Sequence, residues 1–278
     1  MTGVEATEQS VHAGARRGGV RALWAGNPGA VVQRGLIAAR SSSWAVVLSG
    51  FFEPVFYLAS MGIGLGSLIG DVQTSSGVEV SYAAFIAPAL LAVSAMNGAI
   101  YDSTWNVFFK LNYGKLYEGM LATSLGPLDV ALGEILYALL RGLAYATGFM
   151  IIMQALGLNL APTAILALPA VMLIAFGFAS LGMAVTSYMK TFQQMDCINF
   201  VLLPMFLFSA TFYPLTVYPE PIQWFIQALP LWHGVELVRG LTTGALAPVM
   251  LVHVLYFVVM IALGLVFTTR RLRALFLD

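Results

Sequence analysis

Charged side chains are scarce in this chain. Of its 278 residues only 9% are Asp, Glu, Lys or Arg, whereas 59% are hydrophobic. Soluble domains carry about a quarter charged residues, because their surface faces water. The 13 basic and 13 acidic side chains could not cover a water-soluble globule of this size. The composition therefore excludes a soluble domain and indicates an integral membrane protein.

Cysteine and the common catalytic motifs are also lacking. Cys197 is the single cysteine, which excludes an internal disulfide and a cysteine-cluster metal site. There is no G-x-x-x-x-G-K-[ST] phosphate loop, so we expect no ATP bound in the usual way. Neither H-E-x-x-H nor G-x-S-x-G occurs. The sequence thus predicts a protein that is not an enzyme and binds no cofactor or metal itself.

Six apolar stretches are long enough to cross a bilayer, which takes about 20 residues in a helix. The runs are unbroken and do not alternate, so they predict helices and not the strands of a barrel. We therefore expect an all-α polytopic membrane domain over residues 28–278, preceded by a disordered cytoplasmic tail over residues 1–27. The predicted spans are about 44–69, 82–107, 130–156, 162–188, 197–215 and 247–268.

The loops predict the orientation through their basic residues. If both termini are cytoplasmic, 11 of the 13 Lys and Arg side chains lie on the cytoplasmic side. Only Arg239 lies on the opposite side, and Arg141 falls within the third span. Such a bias favours cytoplasmic termini, as expected in a bacterial cell (inner) membrane.

Three segments are not simple spans. Residues 28–42 are moderately apolar, with Arg34 and Arg40 on one flank, which favours a helix lying along the inner surface. Residues 108–129 form a mixed cytoplasmic loop whose apolar side chains are expected to dock against another surface. Residues 213–246 contain four prolines and two tryptophans, which predicts short helices dipping into the outer leaflet.

Two charges lie at similar depth within predicted spans, Glu53 in the first and Arg141 in the third. Ionisable residues inside a membrane are functional candidates. We predict an ion pair between them, serving either as a structural brace or in substrate movement. Asp102, near the inner end of the second span, is expected to extend to the interface.

Three polar residues recur at three-residue spacing before the last span: His233, Glu236 and Arg239. This spacing places them on one helical face. The simpler interpretation is a Glu236–Arg239 contact on the outer surface. The alternative is an outer polar patch that meets an anionic substrate head. Two ligand-type residues, His233 and Glu236, are too few to predict a metal site.

Four segments carry a resemblance to a known family: EPVFYLASMGIGLG (residues 53–66), YAAFIAPALLAVSAMNGAIYD (82–102), KLYEGMLATSLGPLDVALGEIL (115–136) and LPLWHGVELVRG (229–240). The chain resembles the type-2 ABC-transporter permeases. The likeness is to exporters of nodulation lipo-oligosaccharides and, more distantly, of daunorubicin-type drugs.

The resemblance implies a second permease, identical or related, and two separate ATP-binding cassette subunits that hold ATP and Mg. The inner-surface helix is similar to the family's connecting helix, and the broken outer segment to its re-entrant helices. The loop after the second span is similar to the coupling helix that docks on the ATPase. Its candidate residues are Lys110, Leu111, Lys115, Leu116, Tyr117, Glu118 and Met120, with Leu116, Tyr117 and Met120 as the expected contacts.

The same resemblance implies a pathway lined by the first, second and fifth spans. The fifth span offers adaptable apolar surface that would suit a lipid or hydrophobic drug, although ordinary helix packing explains it equally well. The candidate pathway residues are Phe200, Met205, Phe206 and Phe208.

The predicted function is the permease subunit of an ATP-driven exporter of a lipid, a glycolipid or lipo-oligosaccharide, or a hydrophobic drug. We expect the chain to contact the lipid bilayer and this amphiphilic substrate, and we expect it not to bind nucleic acid. An ion-coupled transporter or channel is the alternative, but it would need paired buried acids, and Glu53 is the one deep acid. No internal repeat is evident. A membrane-embedded enzyme would need a nucleophile and a base.

Overall fold

The structure, a computed structural model, describes residues 24–39 and 52–276 and is helical over most of them. A two-stranded antiparallel hairpin joins β1 (Asp71–Gln73) to β2 (Glu79–Ser81), with Val72 opposite Val80. Most of the predicted tail and residues 44–51 of the first span lie outside the described residues. The helices are α1 (Pro28–Ala39), α2 (Phe52–Ile69), α3 (Tyr82–Asn112), α4 (Leu116–Leu121), α5 (Pro127–Ala155), α6 (Pro162–Thr186), α7 (Phe192–Phe208), α8 (Glu220–Ala228), α9 (Pro230–Thr243) and α10 (Met250–Phe276).

Five of these helices are long and apolar enough to cross a membrane, namely α2, α3, α5, α6 and α10. The predicted all-α polytopic membrane fold is confirmed. The fifth predicted span corresponds to α7, a shorter apolar helix that ends at Phe208 and not near residue 215. The chain turns there because Ala210 adopts a positive φ of 55°. The count of six crossings stays a prediction.

The core of the bundle is built around α3, which is mostly buried and contacts α5, α6 and α9. In contrast, α2 and α10 expose most of their apolar side chains. The exterior is therefore far more apolar than that of a soluble protein, as expected where lipid is the solvent. Two ends can be distinguished. The basic end carries Arg34, Lys110 and α4, and the hairpin end carries β1, β2, α8 and α9.

Small residues allow the central helices to approach closely, as is common in membrane proteins. A Cβ atom added at Gly264 of α10 would lie 2.6 Å from Cβ of Ser180 in α6. A Cβ atom at Gly182 of α6 would lie 3.3 Å from Cβ of Ser103 in α3. Glycine at these positions therefore fixes the distance between α6 and each of its two neighbours.

The proline-rich segment forms two short helices in place of one span, as its composition predicts. Pro221 lies in the first turn of α8 and Pro230 in the first turn of α9, where a missing N–H leaves no hydrogen bond unmade. Gly244 ends α9 in the left-handed conformation, with φ at 78°. Trp224 on α8 is exposed, whereas most of α9 is buried against α3 and α10.

The close packing of α6 against α10 can be tested with a glycine pair. We expect Gly264→Ala to lower the thermal unfolding midpoint of the detergent-solubilised protein, because overpacking typically costs about 1–3 kcal/mol. Gly142→Ala on α5 is the matched control, since no atom lies within 4 Å of its added Cβ. That change replaces glycine by a better helix former and should leave the midpoint unchanged or raise it. Equal effects of the two substitutions would contradict the packing.

Candidate functional site

A cavity of about 700 Å³ lies among α2, α3, α5 and α7. Leu90, Leu202 and Phe206 contribute apolar surface, and Asn97 and Tyr145 contribute polar groups. Three of these helices correspond to the predicted first, second and fifth spans, and α5 is an additional contributor. The cavity therefore combines an apolar lining with a few polar groups, which is typical of small-molecule sites.

The candidate pathway residues of α7 lie in different surroundings. Phe206 lines the cavity, with its ring centroid 5.8 Å from that of Tyr57 on α2. Phe200 is 82% exposed on the outside of the bundle, and Phe208 is exposed as well. Met205 is buried in the core. Only Phe206 of the four lines this cavity, because neighbouring residues of a helix point in different directions.

Arg141 lines the cavity but is bound to Asp102, not to the predicted partner Glu53. Asp102 is buried, and its Oδ1 accepts hydrogen bonds from Arg141 Nη2 and, at 2.7 Å, from Asn106 Nδ2. The expectation that Asp102 extends to the interface therefore differs from the structure. Glu53 lines the same cavity from α2 and is exposed. Similar depth along the chain did not specify which helices face one another.

A second buried carboxylate, Glu134 of α5, joins three helices at the basic end. Lys110 Nζ of α3 donates to Glu134 Oε2, and Arg34 Nη2 of α1 lies 3.7 Å from Oε1. Glu134 is only 7% exposed, so these cations offset its burial. Lys110, a candidate coupling residue, is therefore engaged within the chain. We refer to Arg34, Lys110 and Glu134 as the Glu134 cluster.

Asp129 fastens the segment before α1 to the start of α5. It is fully buried and accepts hydrogen bonds from the backbone N–H of Ala25 at 2.6 Å, Asn27 at 2.9 Å and Gly126 at 2.9 Å. Sequence analysis identified neither Asp129 nor Glu134. Pro127 followed two residues later by an acid is a helix-start pattern, which could have indicated Asp129. Glu134 is an acid inside the predicted third span, which could have indicated its role.

The predicted coupling segment contains the short helix α4. It begins after Lys115, whose φ is 46°, and it presents Lys115, Leu116 and Glu118 to the exterior. Leu116 is 39% exposed. Met120 is half-buried and packs against the core, as does Leu111 of α3. Of the seven candidate coupling residues, only Lys115, Leu116 and Glu118 are therefore exposed.

Tyr117 is fully buried and is not part of the exposed surface of α4, which differs from the prediction. Its hydroxyl has no hydrogen-bond partner among the residues that the structure describes. Burial, with a smaller contribution from Glu134, raises the pKa of this hydroxyl well above its usual value, so it stays protonated. The Tyr117 ring therefore anchors α4 to the rest of the bundle, close to the Glu134 cluster.

The predicted outer polar patch is buried. Arg239 is 2% exposed, and its Nη1 lies 2.7 Å from Glu236 Oε1. Its Nη2 donates to the carbonyl of Ala210 at 2.9 Å, and the guanidinium carbon lies 3.9 Å from the ring centroid of Phe85. Ser75 of the hairpin donates to Glu236. A guanidinium with these partners joins α9 to α3 and is not exposed to an anionic substrate head.

His233 is also buried, and its Nδ1 lies 2.7 Å from Nδ1 of His253 on α10. The Tyr256 ring stacks on His233 with centroids 4.1 Å apart. The facing nitrogens are occupied by this contact. In the described part of the chain no three His, Cys, Asp or Glu side chains are grouped to hold a metal ion.

Comparison with known proteins identifies relatives over most of the chain. The ABC-2 type transporter family matches residues 29–243. Nodulation protein J of Rhizobium leguminosarum bv. viciae is 31% identical over 216 residues, 77% of this chain and 82% of that protein. The counterpart from bv. trifolii is 32% identical over 77% and 80%. Nodulation protein J of Neorhizobium galegae is 27% identical over 87% and 93%.

The Asp102–Arg141 pair predicts a specific stability pattern. Asp102→Asn leaves Arg141 without its counter-charge, and breaking a buried pair costs about 3–5 kcal/mol. We expect the lower end, about 3 kcal/mol, since the Arg141 side chain is 25% exposed. Thermal unfolding in detergent measures the loss, and exchanging the two residues should restore part of it. Glu53→Gln should not lower the midpoint. A loss with Glu53→Gln as large as with Asp102→Asn would contradict this pairing.

Proposed function

Because the chain belongs to the ABC-2 type transporter family, we propose that it is the permease subunit of an ATP-driven exporter. The match from residue 29 to residue 243, which covers α1 through α9, is the observation that carries this proposal. The cargo would be an amphiphile: a lipid, a glycolipid or lipo-oligosaccharide, or a hydrophobic drug. The family assignment argues against the ion-coupled alternative.

Energy would come from two separate ATP-binding cassette subunits, on which ATP and Mg bind. The exposed surface of α4 suits such a partner, because Leu116 offers an apolar contact flanked by Lys115 and Glu118. The charged neighbours would form the polar, solvent-accessible rim of such a contact.

Movement of α4 would reach the membrane domain through Tyr117 and the Glu134 cluster. Tyr117 is the buried residue of α4, and the cluster joins α1, α3 and α5 at the basic end. Helices α3 and α5 continue to the cavity, where Asp102 and Arg141 join them again. A displacement of α4 would therefore shift two of the cavity's walls together.

A second permease, a copy of this chain or a relative, would complete the pathway. The faces of α2 and α7 that flank the cavity are apolar and exposed, with Ile63 at 69% and Phe200 at 82%. In this arrangement the chain crosses the bacterial cell (inner) membrane six times, with both termini in the cytoplasm and α8 and α9 on the outer side.

Co-purification tests the proposal. We expect an ATP-hydrolysing subunit to accompany the chain through purification in mild detergent, and Leu116→Asp to reduce the recovered subunit by about tenfold, because an uncompensated charge in an apolar contact costs more than about 1.4 kcal/mol. Val217→Asp is the matched control, since it adds the same charge to an apolar side chain that is 65% exposed near the hairpin end. A chain that transports without any nucleotide-hydrolysing companion would overturn the proposal.

Met120→Asp is a less specific variant. Because Met120 packs partly against the core, Met120→Asp should lower stability as well as coupling.

Equal recovery of the ATPase with Leu116→Asp and with Val217→Asp would show that the docking surface does not lie on α4.

A further inference from the structure

We infer that the cavity selects its amphiphile by the charge of the head, and that Glu53 makes it favour a cationic head over a neutral or anionic one. This inference rests on the proposed exporter function and adds a substrate class to it. Its basis is a difference between two charged residues of the lining: Arg141 is neutralised by Asp102, whereas Glu53 forms no ion pair within residues 24–39 and 52–276.

The positive charge of Arg141 is neutralised by a neighbouring residue of the chain. Its guanidinium binds the buried carboxylate of Asp102, so the two charges cancel at the cavity wall. An anionic head would have to compete with Asp102 for this guanidinium. The chain therefore offers little attraction to a phosphate or sulfate at this position.

Glu53 has no such partner among the residues that the structure describes. Its carboxylate forms no ion pair with any residue in the described ranges 24–39 and 52–276, and it is exposed to the cavity. A carboxylate at membrane depth is costly and attracts a counter-charge more strongly than it would in water. The cavity thus presents one uncompensated negative charge, which an amine of the bound molecule would neutralise.

Polar side chains of the cavity lining indicate which other groups the head of the bound amphiphile would carry. Ser94 and Asn97 of α3 and Asn199 of α7 line the cavity, and their side chains form no hydrogen bond within the described part of the chain. Unpaired polar groups inside a membrane are costly, so these three are available to hydroxyl or amide groups of a ligand. Leu90 and Phe206 offer apolar surface beside them for the start of an alkyl chain.

Quenching of Trp105 measures binding directly, because this tryptophan lines the cavity. The full chain in phosphatidylcholine nanodiscs is titrated with three probes that share one brominated alkyl chain: an alkylamine, an alkyl glucoside and an alkyl sulfate. The amine is protonated at pH 7. Trp105→Phe protein gives the quenching of the remaining tryptophans, which is subtracted. We expect the amine to bind about tenfold more tightly than the glucoside, and the sulfate to bind most weakly.

Glu53→Gln removes the charge while keeping the shape. We expect it to bring the affinities for amine and glucoside within about twofold of each other. Glu79→Gln is the matched control, because Glu79 is exposed on the hairpin and does not line the cavity. It should keep the preference for the amine.

The inference is overturned if the amine binds no more tightly than the glucoside, or if the preference survives Glu53→Gln. Either result leaves the exporter proposal intact, because that proposal depends on recovery of an ATPase. Conversely, a preference for the amine in a chain that recruits no ATPase would support a cationic-amphiphile site and reject the exporter.

Discussion

Compensation of buried charge is the constraint on which the rest of this structure depends. Although the chain has few ionisable residues, three of its acidic side chains are buried, and each binds polar or charged partners. Asp129 binds three backbone N–H groups, Glu134 meets two cations, and Asp102 binds Arg141. Apolar contact alone does not hold helices together in lipid, so these bonds and the close glycine contacts set the positions of the helices.

The same bonds connect the basic end of the molecule to its cavity, so a movement at one can reach the other. The Glu134 cluster ties the surface helix α1 to α3 and α5, and Tyr117 supports α4 directly against it. Farther into the bundle, Asp102 and Arg141 tie α3 to α5 once more. Two attachments between the same helices resist sliding, so the two helices are expected to move as one body. Glu53 departs from the rule of compensation, and an uncompensated charge in a cavity is a feature that a ligand can satisfy.

Sequence analysis predicted what depends on local pattern. Apolar runs located the spans, prolines located the break between α8 and α9, and the quoted segments indicated the family that the comparisons confirmed. Contacts between helices were less predictable. Arg141 was assigned to Glu53 because depth along a span was known but not which faces meet. Tyr117 was expected at the surface because a six-residue helix shows no clear periodicity. Glu134 was missed because it lies near the end of the predicted third span, where the sequence does not distinguish a charge that reaches water from one that is buried.

In the proposed exporter, force from an ATPase reaches the cavity through the Glu134 cluster. Cys197, the chain's single cysteine, is exposed on α7 and directly precedes Ile198 of the cavity lining, so an environment-sensitive fluorophore there can report on movement of this helix. In the complex with a cysteine-free ATPase, we expect a non-hydrolysable ATP analogue to change the label's emission. Glu134→Gln, with nucleotide binding intact, should abolish the change. An emission change of the same size in the Glu134→Gln complex would contradict the account.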